Sequence, residues 1–207
     1  MATEGLARYA PLTGIGFAAL VVIGAVIVGE YSYVPPADEL RTFFEEDNNR
    51  IYVGSYLGLL GMLALIWFAG SVRDHLVEGR PQARRLAMVA LAGGTAAAAQ
   101  FMVGYVALIS GAARADDADG ITEGAATALY DLYGTLGGVG APMALAAFLG
   151  AVGLVALRTD AFPAWLGWAS LGLAVGLASP VAFVFVAFVV VWAVVVAIAI
   201  FRAQPIS

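Results

Sequence analysis

Apolar residues dominate five stretches of the chain that contain no charged residue. These stretches cover residues 9–29, 51–72, 86–113, 132–157 and 161–201. A membrane hydrocarbon core about 30 Å thick is crossed by a helix of roughly 20 apolar residues, because each residue advances the helix by about 1.5 Å. Each of the first four stretches therefore predicts one membrane-spanning helix. The fifth stretch has 41 residues and is long enough for two.

The fifth stretch contains one natural break, at Ser179 and Pro180. Proline disfavours helical geometry in the residue before it, so a tight turn is expected there. Without that turn, the number of spans would fall to five and the C-terminus would lie on the other side of the membrane. With it, the sequence predicts an all-α fold, a polytopic transmembrane bundle of six helices that forms a single domain over residues 1–207. The predicted spans lie near 12–29, 51–68, 86–110, 134–157, 162–177 and 181–201.

The composition supports this architecture and limits the chemistry. Hydrophobic residues make up 62% of the chain and charged residues 12%, and the mean hydropathy is +0.90. The segments between the spans are too short for a separate catalytic domain, which usually needs about 100 residues. Any chemistry must therefore take place inside the bundle or at its two ends.

The types of polar and ionisable residue in the chain exclude several catalytic mechanisms. All ten basic residues are arginine, cysteine is absent and His75 is the single histidine. Without lysine there is no Schiff-base chemistry, without cysteine there is no thiol chemistry, and one histidine cannot supply bis-histidine haem ligation. The net charge of -5 argues against a nucleic-acid partner, which would require a basic surface. The sequence therefore predicts no cofactor, no metal site and no catalytic residue, and an enzyme is the least favoured class.

The arginines predict the orientation of the bundle. In the six-span arrangement, three arginines (Arg41, Arg50 and Arg114) lie on one side, and the other seven lie on the side of the termini. Because arginine concentrates on the cytoplasmic side, both termini are expected in the cytoplasm, with membrane lipid as the surrounding partner. Basic residues that are all arginine, together with much Ala, Gly and Val, indicate the coding bias of a GC-rich bacterium, so the predicted location is a bacterial plasma membrane. The opposite face carries acidic loops over 38–47 and 116–123.

Small residues mark the third and fourth stretches. The third contains Gly93, Gly94 and the alanines 96–99, followed by Gln100 near its centre. Small residues let helices approach closely, and an amide in hydrocarbon usually bonds to a neighbouring helix. Gln100 is therefore either part of a packing seam or lines a path for a solute. Such small-residue faces also permit a homo-oligomer. Glycines and Pro142 are concentrated over 134–142, which predicts a loosened helix.

Polar and aromatic residues converge in the outer half of the second, third and fourth spans. Small-molecule pockets combine apolar or aromatic walls with a few polar groups. If a site exists, we expect it there, with Asp131 selecting a cation and Gln100 as the deepest contact. The predicted substrate-binding residues are Tyr52, Tyr56, Gln100, Tyr105, Tyr130 and Asp131. The alternative is that all six are interfacial anchors and packing residues that share no cavity.

Two classes of function remain open. A transporter or channel for a small polar or cationic solute is favoured by the broken fourth span, Gln100 and the acidic outer mouth. A non-catalytic membrane sensor, chaperone or accessory subunit is favoured by the scarcity of ionisable groups within the spans. A polar cavity that extends past the midplane would support transport, whereas a fully packed bundle would support the second class.

Three patches of the sequence carry a family resemblance. They are residues 49–51 leading into 56–60, the apolar run 63–68 before an arginine-rich loop, and residues 163–168, which read Pro-Ala-Trp-Leu-Gly-Trp. Together they resemble a broad family of six-span bacterial membrane proteins of unknown function, common in actinobacteria. The resemblance implies six helices and a plasma-membrane location, and it supplies no catalytic residues.

Overall fold

The computed structural model describes residues 8–29 and 36–203, and within these ranges the chain is helical without any strand. Short 3-10 turns over Ala10–Leu12 and Pro81–Ala83 precede the first and fourth helices. The helices are α1 (Thr13–Val28), α2 (Ala37–Glu46), α3 (Asn48–Val77), α4 (Arg84–Ala115), α5 (Glu123–Arg158), α6 (Ala164–Leu177) and α7 (Ala182–Ala203). The all-α prediction is confirmed.

Five of these helices are long and apolar enough to cross a membrane, namely α1, α3, α4, α5 and α7. Helix α6 is also apolar but has 14 residues, about 21 Å of helix, which is shorter than the hydrocarbon core. A turn over 178–181 separates α6 from α7, and the Ser179 hydroxyl donates a hydrogen bond to the Gly176 carbonyl oxygen there (2.6 Å). The predicted break at Ser179 and Pro180 is therefore confirmed.

Local chemistry explains several helix ends. Helix α1 ends at Gly29, whose φ of +70° is a left-handed conformation that glycine adopts without steric cost. The Arg50 Nε atom donates to the Ile27 carbonyl oxygen (3.1 Å) and places a positive charge at the negative end of the α1 dipole. At the start of α5, the Thr122 hydroxyl accepts a hydrogen bond from the Ala125 N–H.

Six of the helices form a closed ring. Helix α1 packs on α3, α3 on α4, α4 on α5, α5 on α6, α6 on α7, and α7 on α1. The two ends of the described chain meet, because the Tyr9 and Phe201 rings stack with centroids 6.3 Å apart and Arg8 lies 5.8 Å from the Phe201 ring. We call this the terminal end of the bundle, and we call the opposite end, which carries helix α2, the α2 end.

Two loops are joined at the terminal end. The Arg80 Nε atom donates to the Asp160 carboxylate (2.8 Å), and this bond holds the pKa of Asp160 below its usual value. The Nε2 atom of His75 lies 2.9 Å from the Ala161 carbonyl oxygen, and its ring packs on Phe162 with centroids 4.8 Å apart. His75 and Arg80 therefore connect the end of α3 with the loop between α5 and α6.

Helix α2 covers the opposite end of the bundle. Its apolar residues Leu40, Phe43 and Phe44 are buried, whereas Arg41 and Glu45 form an exposed ion pair of 2.8 Å. The buried side packs into a cluster with Val28, Ile51, Leu108, Ala112, Ile121 and Ala126. The sequence predicts an acidic loop over this segment, and that prediction is wrong, because the segment is an amphipathic helix that lies over the bundle.

An aromatic cluster fills the bundle toward the terminal end. We call Phe68, Phe148 and Trp192 the aromatic floor. The Trp192 ring is 6.2 Å from Phe68 and 5.5 Å from Phe148, both in edge contact. The Trp192 Nε1–H donates to the Ser170 hydroxyl (2.9 Å), which donates in turn to the Leu166 carbonyl oxygen (2.7 Å). This chain of hydrogen bonds satisfies the polar groups of Trp192 and Ser170 and ties α7 to α6.

Candidate functional site

A cavity of about 480 Å³ lies inside the bundle, toward the α2 end. Five helices contribute to its walls: α1, α3, α4, α5 and α7. We call it the tyrosine cavity. Its lining residues are Phe17, Val21, Val22, Ala25, Met62, Phe101, Tyr105, Tyr130, Tyr133, Gly134, Gly137, Gly138, Leu145, Phe183, Val186, Ala187, Val189 and Val190.

The walls of the tyrosine cavity are apolar apart from three tyrosines. The ring of Tyr133 lies 6.1 Å from that of Tyr105 and 6.2 Å from that of Tyr130. Phe43 of α2 meets Tyr130 edge to face, with centroids 6.1 Å apart. The aromatic side chains therefore run from α2 into the cavity, and no charged side chain is among the lining residues. A tyrosine combines an apolar ring with a hydrogen-bonding hydroxyl, so this wall suits an amphipathic molecule.

The tyrosine cavity ends within the bundle. Leu145 and Val189 line it and are almost fully buried, and within one helical turn of them lie Phe148 and Trp192 of the aromatic floor. Phe68 and Phe148 are fully buried, and Trp192 is 4% exposed. The floor therefore separates the cavity from the terminal end of the protein.

A π-helical turn interrupts α5 beside the cavity. It covers Leu136–Gly140 and ends two residues before Pro142, whose ring and missing N–H disturb the regular helical hydrogen bonds. The loosened helix predicted from the glycines and proline is confirmed in this form. The Gln100 side chain lies against Gly140 and occupies the space that a Cβ atom would need there. Such turns occur frequently at functional sites.

The structure brings together only part of the predicted site. Tyr105 and Tyr130 line the tyrosine cavity. Gln100 is half-buried next to the π turn, outside the lining. Tyr52 packs against the cluster under α2. Tyr56 is 58% exposed, and Asp131 is exposed as well.

The predicted set of site residues omits Tyr133 and every contribution from α1 and α7. Tyr133 lies three residues after Tyr130 and therefore shares a face of α5 with it. This spacing could have identified Tyr133 as a site residue from the sequence. Phe17 and Val189 are far apart in the sequence and resemble many other apolar residues of the spans. No local pattern distinguishes them as cavity residues.

The acidic residues of the α2 end form a separate hollow of about 300 Å³. It is lined by Glu45, Glu46, Asp47, Asn48, Asn49, Arg50 and Asp116. Arg50 pairs with Asp47 (2.7 Å), and the Asn48 amide donates to the Ala112 carbonyl oxygen (2.7 Å). This hollow shares no lining residue with the tyrosine cavity, so the two are separate.

The fold and the cavity define the class of protein, which is an all-α bundle of membrane-spanning helices that encloses an apolar cavity. In the described ranges, 8–29 and 36–203, no group of three His, Asp or Glu side chains could hold a metal ion. Comparisons with protein-family models, with curated proteins and with solved structures found no match to this chain. The resemblance to six-span bacterial proteins and the homo-oligomer both stay predictions.

Proposed function

We propose that this protein is a non-catalytic membrane-embedded binding protein whose tyrosine cavity holds a small amphipathic molecule. The observation that carries the proposal is the cavity itself. Its volume of about 480 Å³ falls in the range of small-molecule sites, about 300–1,000 Å³, and its walls are apolar with three tyrosines. A fully charged solute would lose its hydration there without gaining a charged partner, which is unfavourable.

The position of the tyrosines sets the orientation of the bound molecule. The apolar part of the ligand lies toward Phe17 and Val189, above the aromatic floor. Its polar group lies near Tyr105, Tyr130 and Tyr133, where the hydroxyls offer hydrogen bonds. Helix α2 covers the tyrosine side of the site at the α2 end, because Phe43 contacts Tyr130. This arrangement suits a sensor, chaperone or accessory subunit that responds to a lipid-like molecule.

The absence of cysteine makes the cavity testable with single-cysteine variants. Val186 lines the cavity, whereas Val196 lies on the same helix and is fully buried in the core. We expect N-ethylmaleimide to label Val186→Cys in detergent and to leave Val196→Cys unlabelled. Saturating 1-dodecanol, an amphipathic molecule, should slow the labelling of Val186→Cys roughly tenfold by occupying the cavity, which corresponds to about 1.4 kcal/mol.

An exposed position supplies the control for this labelling. Val191 on α7 is 61% exposed, and Val191→Cys should be labelled at the same rate with and without dodecanol. If Val186→Cys stays unlabelled while Val191→Cys is labelled, or if dodecanol slows both variants equally, the proposed function is wrong.

A second candidate function is transport of a small polar or cationic solute. The π turn of α5 beside Gln100 favours it, because irregular helix segments within a membrane commonly adjoin transport paths. The acidic α2 end would raise the local concentration of cations. Transport requires the aromatic floor to open in another state of the protein, since the floor closes the cavity in this one.

Conservative substitutions test the transport hypothesis in vesicles that contain the full chain. Uptake of tetraethylammonium should fall about tenfold in Gln100→Leu and Asp131→Asn if these residues contact the solute, which corresponds to about 1.4 kcal/mol. The matched controls are Gln82→Leu and Asp119→Asn, which change exposed positions away from the cavity. Equal uptake by all four variants and the parent, or no uptake by the parent, would rule out this candidate.

We also propose that the terminal end faces the cytoplasm of a bacterium and that the α2 end faces outward. The support is the arginine distribution, seven against three, combined with the meeting of the two chain ends in the ring. Single-cysteine variants in intact cells test this orientation. A membrane-impermeant maleimide should label Asp47→Cys and Asp117→Cys, and it should label Gln82→Cys only after the cells are broken open. Labelling of Gln82→Cys in intact cells would reverse the orientation.

A further inference from the structure

Helix α6 takes no part in the wall of the tyrosine cavity. Helix α6 packs against Ala141–Arg158 and against α7, but it contributes none of the cavity-lining residues. On the α6 side of the cavity, the last turn of α6 packs beside the first turn of α7, where the Phe185 ring fills the space next to Gly176. The cavity wall there depends on α1, α5 and α7.

Several lining residues on these three helices are also exposed on the protein surface. We call them the cavity rim: Val22 on α1, Gly134 and Gly138 on α5, and Phe183 and Ala187 on α7. Val22 is 48% exposed and Phe183 is 70% exposed. A residue that lines a cavity and remains this exposed lies at an opening, so the cavity opens at the rim.

The cavity rim extends from the hydrocarbon core to the membrane interface at the α2 end. Ala187 and Phe183 precede Arg202 by 15 and 19 residues, or about 22 and 28 Å of helix. The rim residues of all three helices belong to the charge-free stretches 9–29, 132–157 and 161–201. In a membrane-spanning bundle, such a surface faces lipid chains and the adjoining interface rather than bulk water.

Helix α2 covers the tyrosine side of the other route into the cavity, the one from water at the α2 end. Phe43 and Phe44 are 3% and 0% exposed, Phe43 packs on Tyr130, and Phe44 fills the space beside Gly111. A solute arriving from the aqueous side would have to displace this buried aromatic pair. The side opening at the rim needs no such displacement.

We propose that the tyrosine cavity is loaded sideways from the membrane, through the cavity rim, and that its occupant is a single-chain lipid with a small hydrogen-bonding headgroup. The inference rests on the proposed function and names its ligand class and route. The chain lies in the apolar part of the cavity, and the headgroup reaches the tyrosines near the α2 end. The absence of charge in the lining fits an uncharged headgroup.

The test compares two thiol reagents on Val186→Cys in phosphatidylcholine vesicles. N-dodecylmaleimide dissolves in the bilayer, whereas the anionic reagent sulfonatoethyl methanethiosulfonate stays in water. Entry from the membrane predicts labelling by N-dodecylmaleimide and no labelling by the anionic reagent from either side. Each reagent is added to both sides of the vesicle membrane, so the result does not depend on the orientation in which the protein inserted.

A matched pair of glycine substitutions locates the route. Gly138 lies on the rim and Gly172 lies on α6 away from the cavity; both are exposed, and a Cβ atom at either would meet no atom within 4 Å. Both Gly138→Phe and Gly172→Phe should therefore fold. We expect Gly138→Phe to slow labelling of Val186→Cys by N-dodecylmaleimide about tenfold, equivalent to about 1.4 kcal/mol. Gly172→Phe should leave the rate unchanged.

The possible outcomes separate the inference from the proposed function. Labelling of Val186→Cys by the anionic reagent would show that the cavity is reached from water. This result would overturn the inference but leave the proposed function intact. Equal rates in the two phenylalanine variants would also overturn it. A third outcome is that neither reagent labels Val186→Cys although N-dodecylmaleimide labels Val191→Cys. The cavity would then be inaccessible, and both the proposed function and the inference would be wrong.

Discussion

Replacing Gly93 by valine is expected to lower the free energy of unfolding by about 3 kcal/mol, because the contact between α4 and α5 leaves no room for a side chain. A Cβ atom at Gly93 would lie 2.7 Å from the Phe148 backbone nitrogen and 2.8 Å from the Ala144 carbonyl oxygen. Both are main-chain atoms of α5, which cannot rotate away as a side chain could. The steric clash can therefore be removed only if α4 and α5 move apart. Such separation would disturb Phe148 and with it the aromatic floor.

The measurement is the unfolding of the full chain in detergent, followed by circular dichroism. Gly70→Val is the matched control, since Gly70 also lies inside a long helix but a Cβ placed there would meet no neighbouring helix within 4 Å. Its stability should change by less than about 0.5 kcal/mol, as is usual for surface substitutions. Equal stability of the two valine variants would contradict the close packing of α4 on α5.

Replacing Trp192 by alanine is expected to cost about 3 to 5 kcal/mol, the usual range for a large aromatic side chain in a packed core. The indole is 4% exposed, contacts Phe68 and Phe148, and donates a hydrogen bond to Ser170. Trp67→Ala is the control, because Trp67 is 69% exposed. A loss of stability in Trp192→Ala no larger than in Trp67→Ala would show that the aromatic floor is not packed as described.

The Trp192 variant also has a functional consequence. Removing the indole extends the tyrosine cavity toward the terminal end, so Val196→Cys should become reactive to N-ethylmaleimide in the Trp192→Ala background. In the parent background, Val196 is fully buried and should stay unreactive. The smaller change Ser170→Ala leaves the Trp192 N–H without its partner, and we expect it to cost about 1 to 3 kcal/mol without extending the cavity.

The aromatic floor distinguishes the two proposed functions. A binding protein keeps the floor closed, and its ligand enters and leaves by the cavity rim. A transporter must open the floor, because Phe68, Phe148 and Trp192 lie between the cavity and the terminal end. Reactivity of Val196→Cys that appears only when tetraethylammonium is present would therefore favour transport over binding.

The charge-free stretches alone determined the helical fold of this protein. In hydrocarbon, a backbone must satisfy its own hydrogen bonds, and a helix is the simplest way for a single apolar segment to do so. The break at Ser179 and Pro180 and the loosened segment over 134–142 were also readable, because proline and glycine act on the backbone locally. These features needed no information about neighbouring helices.

Only the tertiary structure decided which faces of the helices line the tyrosine cavity. Lipid chains and a packed core favour the same apolar side chains, so a spanning helix carries little sequence signal for its inward face. Phe17 and Val189 could not be paired by sequence for this reason, and Tyr56 could not be recognised as exposed. The amphipathic helix α2 shows the contrast: water favours its charged side, but only the packing of Phe43 and Phe44 reveals that it covers the bundle.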